Sequence, residues 1–205
     1  MTVRGVVLFP GSGSSADHPS LLALERTLGD ELTGVTVRRR DFPYRLAGRK
    51  FPDKADVLVA CVRADVADLA RSIGCDVTEI VIGGRSMGGR MCTLAAAGFS
   101  GARNENEPTQ PPLRVAGVMA ISYPLHPPGK PDVLRVAHFP RLATPTLFVS
   151  GTRDEFATPD ELTTWTAQIP GVVDHRWIDG ARHDLRKRDD EVARLCAGWV
   201  AGLRH

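Results

Sequence analysis

The chain alternates two patterns of hydrophobic and polar positions along most of its length. Short apolar runs bounded by glycine or polar residues predict buried β-strands, and they occupy residues 4–9, 34–42, 78–84, 114–122, 144–151 and 171–180. Segments with apolar residues at helical spacing predict amphipathic helices, and they occupy residues 20–32, 56–74, 87–98, 159–169 and 189–203. Strands that alternate with helices predict an α/β fold with a mostly parallel sheet and helices on both of its faces.

Two longer connections interrupt this alternation. Residues 100–114 are polar and rich in proline, so we expect a surface loop there. Residues 123–143, "YPLHPPGKPDVLRVAHFPRLA", join two predicted strands and hold one short predicted helix from Val133 to His138. This connection is too short for a lid domain. Because ligands of parallel sheets bind beyond the carboxyl ends of the strands, we expect an open, shallow site at that edge.

Composition and charge exclude several classes of protein. With 205 residues, the chain is expected to form a single domain over residues 1–205. A net charge of +2, with Arg38 to Arg40 as the densest basic cluster, predicts no nucleic-acid partner. No apolar stretch approaches the roughly 18 residues of a membrane-spanning helix, and no signal-peptide pattern precedes the first strand, so we expect a cytoplasmic protein without a membrane partner. The sequence carries no signal for the oligomeric state.

The cysteines give no sign of metal or redox chemistry. Cys61, Cys75, Cys92 and Cys196 form no C-x-x-C pair, and none stands at metal-ligand spacing with a histidine. Their neighbours are apolar or helical, which is typical of cysteines that act as small buried hydrophobic residues. We therefore expect no metal site and no cofactor.

One predicted strand ends at a serine surrounded by glycines, in "IVIGGRSMGGRM" at residues 80–91. A phosphate-binding Walker A motif would need lysine followed by serine or threonine where Gly89 and Arg90 stand, so that motif is excluded. The segment does match G-x-S-x-G, with Gly84, Ser86 and Gly88 at the fixed positions. In this motif the serine lies on a tight turn between a strand and a helix, and the predicted elements on either side meet that requirement.

A second glycine-rich segment, after the first predicted strand, allows a different interpretation. Gly11 to Ala16 match the dinucleotide fingerprint G-x-G-x-x-A, and arginines at the end of the second strand suit the 2′-phosphate of NADP. Against this hypothesis, His18 and Pro19 fall where the early turns of the fingerprint's helix should run. Pro19 suits the first turn of a helix that begins later, with Asp17 or His18 as its cap.

A serine nucleophile needs a base to take its proton and an acid to orient that base. On the fold that carries this kind of turn, the chain order is serine, then aspartate or glutamate, then histidine. Asp154 follows one predicted strand, in "SGTRDEF", and His183 follows the last, in "DGARHDLR". Since Ser86 also follows a strand, three loops can converge at one edge of the sheet. Glu155 and Asp160 are weaker candidates for the acid.

Attack by the serine places negative charge on the substrate oxygen, which needs backbone N–H donors already in position. Met87 should supply one donor, at the start of the helix after the serine. Ser12, in the loop "PGSGSS" after the first strand, should supply the other, with Gly13 as the second choice. Residues that flank these loops are expected to contact the substrate, namely Gly13, Arg85, Tyr123 and His126.

Taken together, these segments resemble the α/β-hydrolase superfamily. The chain is similar to a compact subgroup of predicted hydrolases related to the testis-expressed protein 30 and the non-specific-lethal complex subunit 3, and more distantly to dienelactone hydrolases. The matching stretches are "FPGSGSSADHP", "GGRSMGGR", "YPLHPPGKP", "PTLFVSGTRDEF" and "DGARHDLR". The resemblance implies an α/β-hydrolase fold with Ser86, Asp154 and His183 as a catalytic triad. The superfamily's loop after the first strand usually reads His-Gly-x-Gly, and here Pro10 replaces the histidine.

We therefore expect a serine hydrolase that cleaves an ester, thioester or related acyl bond of a small molecule through an acyl-enzyme intermediate. The alternatives are a non-catalytic scaffold or binding protein with the same fold and, with less support, an NADP-binding protein. Arg90, four residues after Ser86, either pairs with a loop carboxylate and braces the turn or attracts an acidic substrate. An open site predicts a preference for short acyl groups.

Overall fold

The computed structural model describes residues 2–102 and 106–203 of the chain. In this part of the chain six strands form one sheet: β1 (Gly5–Phe9), β2 (Thr36–Arg39), β3 (Ile80–Arg85), β4 (Gly117–Ile121), β5 (Thr146–Gly151) and β6 (Val173–Ile178). Their order across the sheet is β2-β1-β3-β4-β5-β6, and every neighbouring pair is parallel. The predicted α/β class is confirmed, and the sheet is wholly parallel where it is described.

Helices connect the strands: α1 (Pro19–Glu31), α2 (Pro43–Leu46), α3 (Ala55–Ile73), α4 (Met87–Ala97), α5 (Pro159–Thr166) and α6 (Asp189–Gly202). Short 3₁₀ turns cover Val77–Glu79 and Phe139–Arg141. Both α3 and α4 end at glycines with positive φ, Gly74 (+63°) and Gly98 (+82°), a conformation that side chains with a Cβ disfavour. The four-residue helix α2 has too few positions to show a periodic pattern, and the sequence analysis does not predict it.

The sheet separates two apolar cores, as expected for a sheet covered on both faces. Alternate residues of β1 show this division, because successive side chains of a strand point to opposite faces. Val6 and Leu8 pack with α1 and α6, while Val7 and Phe9 pack with α3, α4 and α5. The sheet is therefore held rigidly from both sides, and only the loops at its edges are free to form a site.

The strand order reverses between β1 and β3, since the chain passes from β1 outward to β2 and then returns across β1 to β3. At such a switch point the loops that follow the two neighbouring strands separate and leave a crevice between them. The loop after β1 contains Gly11 to Ala16, and the turn after β3 contains Ser86. The topology thus places the two glycine-rich segments side by side.

The connection between β4 and β5, residues 123–143, is fully described and differs from the prediction. The expected helix from Val133 to His138 does not form, and the only regular structure there is the 3₁₀ turn Phe139–Arg141. Tertiary hydrogen bonds replace helical ones, since the Arg135 N–H donates to the Leu125 carbonyl at 2.9 Å and the Tyr123 hydroxyl donates to the Arg135 carbonyl at 2.6 Å. No lid domain is inserted in this connection.

The predicted loop 100–114 is irregular where it is described. Residues 106–114 contain no helix or strand, and residues 103–105 lie outside the described residues.

The four cysteines are all free, but they differ in burial. Cys92 and Cys196 are buried, whereas Cys61 and Cys75 are half-buried. Within the described ranges, no helix combines the length and the apolar character that crossing a bilayer requires.

Candidate active site

Ser86 lies on a strained turn between β3 and α4. Its backbone has φ +48° and ψ −112°, a region that residues with side chains rarely adopt and that costs on the order of 1–3 kcal/mol. The Ser86 N–H donates to the Ile121 carbonyl of β4 at 2.7 Å, and the Ser86 carbonyl accepts from Arg90 N–H at 3.0 Å. Neighbouring structure therefore holds the strained conformation in place. Such strain is characteristic of a serine presented at the end of a strand for nucleophilic attack.

The glycines two residues before and two residues after Ser86 are required by the packing of this turn. A Cβ atom placed on Gly84 or on Gly88 would lie inside van der Waals contact with the Phe9 carbonyl oxygen at the end of β1. A Cβ on Gly84 would also lie 2.9 Å from the Gly88 carbonyl carbon. The G-x-S-x-G spacing therefore lets the turn pack directly against the backbone of β1, which brings Ser86 next to the loop after β1.

The structure brings Ser86, His183 and Asp154 together in one chain of hydrogen-bond contacts. The Ser86 hydroxyl oxygen lies 2.9 Å from His183 Nε2. On the other side of the ring, His183 Nδ1 lies 2.9 Å from Asp154 Oδ1 and 3.0 Å from Oδ2. The Asp154 side chain has no exposed surface, and 15% of the His183 side chain is exposed. A buried carboxylate thus contacts a largely buried imidazole, which in turn contacts the serine.

These distances fix the direction of proton transfer. An ionised carboxylate only accepts hydrogen bonds, so the proton of a neutral His183 lies on Nδ1, where Asp154 accepts it. His183 Nε2 is then free to accept the hydroxyl proton of Ser86. The arrangement can therefore activate a serine hydroxyl and stabilise the imidazolium that results.

Neighbouring groups hold the acid and the base in position. The Phe156 N–H donates to Asp154 Oδ1 at 2.8 Å, and the Phe156 ring lies against the His183 ring with a centroid separation of 3.9 Å. The Arg85 guanidinium donates to the His183 carbonyl at 2.9 Å. Glu155, the weaker candidate for the acid, accepts only a long bond of 3.5 Å from the His183 backbone N–H.

Two backbone donors are available near Ser86, at Ser12 and Met87. Neither N–H has a hydrogen-bond partner within residues 2–102 and 106–203, and both residues line the same cavity as Ser86. The Gly13 N–H, by contrast, donates to the Tyr44 hydroxyl at 3.3 Å. With φ at +72°, Gly13 serves the turn of this loop and does not line the cavity. The loop thus offers Ser12 rather than Gly13 as a donor.

The cavity beside Ser86 has a volume of about 600 Å³, within the usual range for small-molecule sites. Its walls come from the loops after β1, β3, β4, β5 and β6. The lining residues are Gly11, Ser12, Ser14, His18, Arg85, Ser86, Met87, Arg90, Pro124, Arg135, Phe156, His183 and Asp184. Every loop that contributes to this cavity leaves the sheet at the carboxyl ends of the strands, as expected for a parallel sheet.

Burial shifts the pKa of two groups in the cavity wall. Loss of solvent lowers the pKa of Arg85 from its usual range, although the nearby carboxylates of Asp189 and Asp184 oppose the shift. Burial, together with the positive charge of Arg85, lowers the pKa of His18. His18 caps α1, accepting from the Ser20 N–H at Nδ1 over 3.3 Å. His18 Nδ1 is therefore engaged in capping α1.

Three of the four expected substrate contacts, Gly13, Tyr123 and His126, do not line the cavity. The Tyr123 side chain is fully buried and packs against the rings of Phe139 and Phe148, at centroid separations of 5.4 and 5.7 Å. His126 is also buried, with Nδ1 2.9 Å from the Pro127 carbonyl. Neither residue lines the cavity, and packing in the aromatic cluster accounts for the position of the Tyr123 ring.

Phe156 and Arg135 line the cavity but were not predicted from the sequence. Phe156 stands two residues after Asp154, and its closeness to a candidate acid is a signal that could have identified it. Arg135 lies in the irregular connection between β4 and β5, where no periodic pattern indicates which side chains face a site. Tertiary hydrogen bonds of that connection hold the segment that carries Arg135.

The structure gives no support to the dinucleotide interpretation of Gly11 to Ala16. Helix α1 begins at Pro19, after the motif has ended, so no helix N-terminus lies within it. Arg39 at the end of β2 is bound to the carboxylates of Asp17 and Glu25, at 2.8 and 2.7 Å. In the described part of the chain, no group of three or more histidine, cysteine, aspartate or glutamate side chains could hold a metal ion.

Comparison with known proteins gives one family match and many similar folds. The family model described as "Alpha/beta hydrolase domain" matches residues 3–196. An alpha-beta serine hydrolase homologue from Coxiella burnetii is 20% identical, with a TM-score of 0.71 over 97% of this chain and 85% of that one. Est1E from Butyrivibrio proteoclasticus, solved with ferulic acid, is 17% identical, with a TM-score of 0.73 over 98% and 90%.

A third similar structure is the monoacylglycerol lipase of Paleococcus ferrophilus. It is 16% identical, with a TM-score of 0.72 over 98% of this chain and 96% of that one. At these identities the likeness concerns the fold, and each pair is matched over most of both chains.

Proposed function

Because the chain belongs to the alpha/beta hydrolase domain family, we propose that it is a serine hydrolase that cleaves an ester, thioester or related acyl bond of a small molecule. In this proposal Ser86 is the nucleophile, His183 the general base and Asp154 the residue that orients the base. The observation that carries the proposal is the unbroken set of contacts from Ser86 Oγ to His183 Nε2 (2.9 Å) and from His183 Nδ1 to Asp154 (2.9 and 3.0 Å).

The proposed reaction begins with acylation of Ser86. The Ser86 oxygen attacks the substrate carbonyl carbon while His183 Nε2 takes the hydroxyl proton. The negative charge that forms on the carbonyl oxygen is stabilised by the N–H groups of Ser12 and Met87. When the tetrahedral intermediate collapses, His183 returns the proton to the leaving alcohol or thiol, and the acyl group stays on Ser86.

Deacylation repeats these steps with water as the nucleophile. His183 takes a proton from water, the resulting hydroxide attacks the acyl carbon, and the same two N–H groups receive the charge. Collapse of the second intermediate releases the carboxylic acid, and the proton on His183 returns to the Ser86 oxygen. No group outside the chain other than substrate and water takes part in the proposed reaction.

Other parts of the proposal depend on the sequence stretches and on the similar structures. The similar structures include an esterase domain, lipolytic enzymes and a monoacylglycerol lipase, which supports acyl-bond hydrolysis as the reaction class. The five matching sequence stretches support a place in the compact subgroup of hydrolases related to the testis-expressed protein 30. We also retain the cytoplasm as the proposed location and a small molecule as the proposed partner.

Hydrolysis of 4-nitrophenyl acetate by wild type and by Ser86→Ala tests the proposal. Loss of the nucleophile should lower kcat by a factor on the order of 10⁶, as in the subtilisin triad. Ser72→Ala is the matched control, because Ser72 is exposed on α3 and bonds to Arg38, remote from the cavity. Equal activity of all three proteins would rule out the mechanism, and inactivity of a folded wild type across esters and thioesters would favour the non-catalytic scaffold.

A further inference from the structure

Arg90 and Arg135 stand between two cavities of the molecule. Both line the cavity of about 600 Å³ that contains Ser86. Both also line an adjoining cavity of about 340 Å³, whose other walls are largely apolar. Arg90 comes from the first turn of α4, and Arg135 comes from the connection between β4 and β5. Two separate elements thus bring guanidinium groups to one place beside the candidate nucleophile.

In the described part of the chain, these two arginines have no carboxylate partner. Neither takes part in an ion pair within residues 2–102 and 106–203. Among the described residues, Arg90 Nε is buried without a hydrogen-bond partner, and the Arg135 side chain donates one long bond of 3.3 Å, from Nη1 to the Pro124 carbonyl. The arginines of β2 differ, because Arg38 and Arg39 both bind carboxylates.

The two cations also act on each other. Burial lowers the pKa of Arg135, and the positive charge of Arg90 lowers it further. Placing two like charges together in a partly buried position costs free energy unless a counter-charge is bound there. The structure therefore contains a destabilising arrangement that an anionic ligand would relieve.

The carboxylates of the cavity do not neutralise these charges. Asp184 lines the cavity, but it acts on Arg85 and accepts from the Arg186 N–H at 3.2 Å. Asp154 is bound to His183. With Arg85 included, the described residues of the wall carry three guanidinium groups and one accessible carboxylate, Asp184. The surplus of positive charge lies on the side formed by Arg90 and Arg135.

We propose that the substrate of this enzyme carries an anionic group, a carboxylate or a phosphate, that Arg90 and Arg135 bind while the acyl carbonyl lies at Ser86. Guanidinium groups suit both anions, since their planar N–H donors match pairs of anion oxygens. The inference rests on the proposed hydrolase function and adds the class of substrate to it. It also favours the second of the two roles open to Arg90 from the sequence, because within residues 2–102 and 106–203 no carboxylate pairs with this side chain.

Matched pairs of esters measure whether a negative charge is recognised. On the acyl side, 4-nitrophenyl hydrogen adipate is compared with 4-nitrophenyl hexanoate, which has the same chain length without the carboxylate. On the leaving-group side, 4-acetoxybenzoate is compared with its neutral methyl ester. Charged hydrogen bonds are worth enough to change an affinity by about ten- to a hundred-fold. We expect a preference of that size, expressed as the ratio of kcat/KM values, in at least one pair.

Substitutions of the two arginines then show which residues recognise the negative charge. Arg90→Met and Arg135→Met should each lower the ratio of charged to neutral kcat/KM at least about ten-fold, while Arg90→Lys should retain part of it. The ratio is used because general damage to the fold affects both esters of a pair. Arg176→Met is the control, since Arg176 is exposed on β6 and remote from the cavity. A preference that is absent in wild type, or that both Met variants keep, overturns the proposal.

A binding measurement separates this proposal from the hydrolase function. Benzoate and phenyl phosphate should bind the wild-type protein more tightly than benzyl alcohol does, by calorimetry, and should lose that advantage in Arg90→Met and Arg135→Met. The comparison of the two anions distinguishes a carboxylate site from a phosphate site. If neutral esters are hydrolysed but neither anion binds, only the anion site is wrong. If both anions bind but Ser86→Ala does not affect hydrolysis, the anion site stands and the hydrolase mechanism is wrong.

Discussion

Asp154 has no exposed side-chain surface and contacts His183 Nδ1 through both carboxylate oxygens, at 2.9 and 3.0 Å. In Asp154→Asn the amide nitrogen can donate to Nδ1, which moves the imidazole proton to Nε2 and blocks acceptance from Ser86. By comparison with the chymotrypsin triad, kcat should fall about 10⁴-fold while the fold remains. The measurement is kcat on 4-nitrophenyl acetate together with the melting temperature.

Glu155→Gln is the matched control for this change. Glu155 is next in sequence, yet its only bond to the site is the 3.5 Å contact with the His183 backbone N–H. We expect kcat of Glu155→Gln to stay within a few-fold of wild type, by the weakness of such a long bond. A larger loss in Glu155→Gln than in Asp154→Asn would reverse the assignment of the acid.

The sequence analysis places Ser86, Asp154 and His183 at one edge of the sheet because each directly follows a strand, and parallel strands share a carboxyl edge. The same reasoning predicts the wrong position for Tyr123, which also follows a strand. The backbone turns at Ser122, whose φ is +49°, and the Tyr123 ring is buried among aromatic side chains. Sequence position gives the edge of the sheet, but the competition between burial and solvent exposure at each side chain is decided by tertiary packing.

Among the secondary-structure elements, α4 contains a glycine, Gly88, that is needed for packing, whereas an ordinary glycine inside a helix destabilises it. A Cβ there would meet the carbonyl oxygens of Phe9 and Pro10, which belong to backbone and cannot rotate away. Gly88→Ala should therefore destabilise the protein by about 1–3 kcal/mol, as other overpacking changes do. It should also lower kcat, since the turn at Ser86 moves with α4. Urea unfolding and nitrophenyl acetate hydrolysis measure the two effects.

Gly29 in α1 provides the contrast. It is exposed, and a Cβ there would have no heavy atom within 4 Å. Gly29→Ala should stabilise the protein by about 0.5–1 kcal/mol through helix propensity and leave kcat unaffected. Stabilisation by both substitutions would mean that α4 does not pack against β1 as closely as described here.

Prediction of elements succeeded where a long segment repeats one pattern and failed where tertiary contacts replace local ones. Helix α3 covers Ala55–Ile73 and ends at Gly74, close to the predicted 56–74. The predicted helix from Val133 to His138 has apolar residues at suitable positions, but its backbone bonds to the segment around Leu125 instead. A short apolar run has too few local hydrogen bonds to outweigh such contacts.

At the scale of the whole molecule, the absence of a lid between β4 and β5 governs the size of substrate. Residues 123–143 fold inward around Tyr123 and Phe139, and no part of them forms a domain over the cavity. An acyl chain that extends past the cavity therefore enters solvent. The methylenes in solvent gain no binding energy, whereas burial would contribute roughly 0.8 kcal/mol for each of them. We expect the highest kcat/KM for acyl groups of about two to four carbons.

A series of 4-nitrophenyl esters from acetate to palmitate measures this preference. The value of kcat/KM should level off or fall once the acyl chain exceeds the short lengths. Lipid droplets should not activate the enzyme. A steady increase toward palmitate would mean that the long chain is buried in a tunnel, such as one formed by widening the adjoining cavity past Arg90 and Arg135.

Covalent labelling tests most directly whether His183 and Asp154 activate Ser86. A fluorophosphonate probe reacts quickly only with an activated serine, and intact-protein mass spectrometry counts the adducts. We predict one adduct on the wild-type protein, located at Ser86 by peptide mapping, no adduct on Ser86→Ala, and strongly slowed labelling of His183→Ala. Labelling at another residue, or equally fast labelling of His183→Ala, would contradict activation of Ser86 by His183.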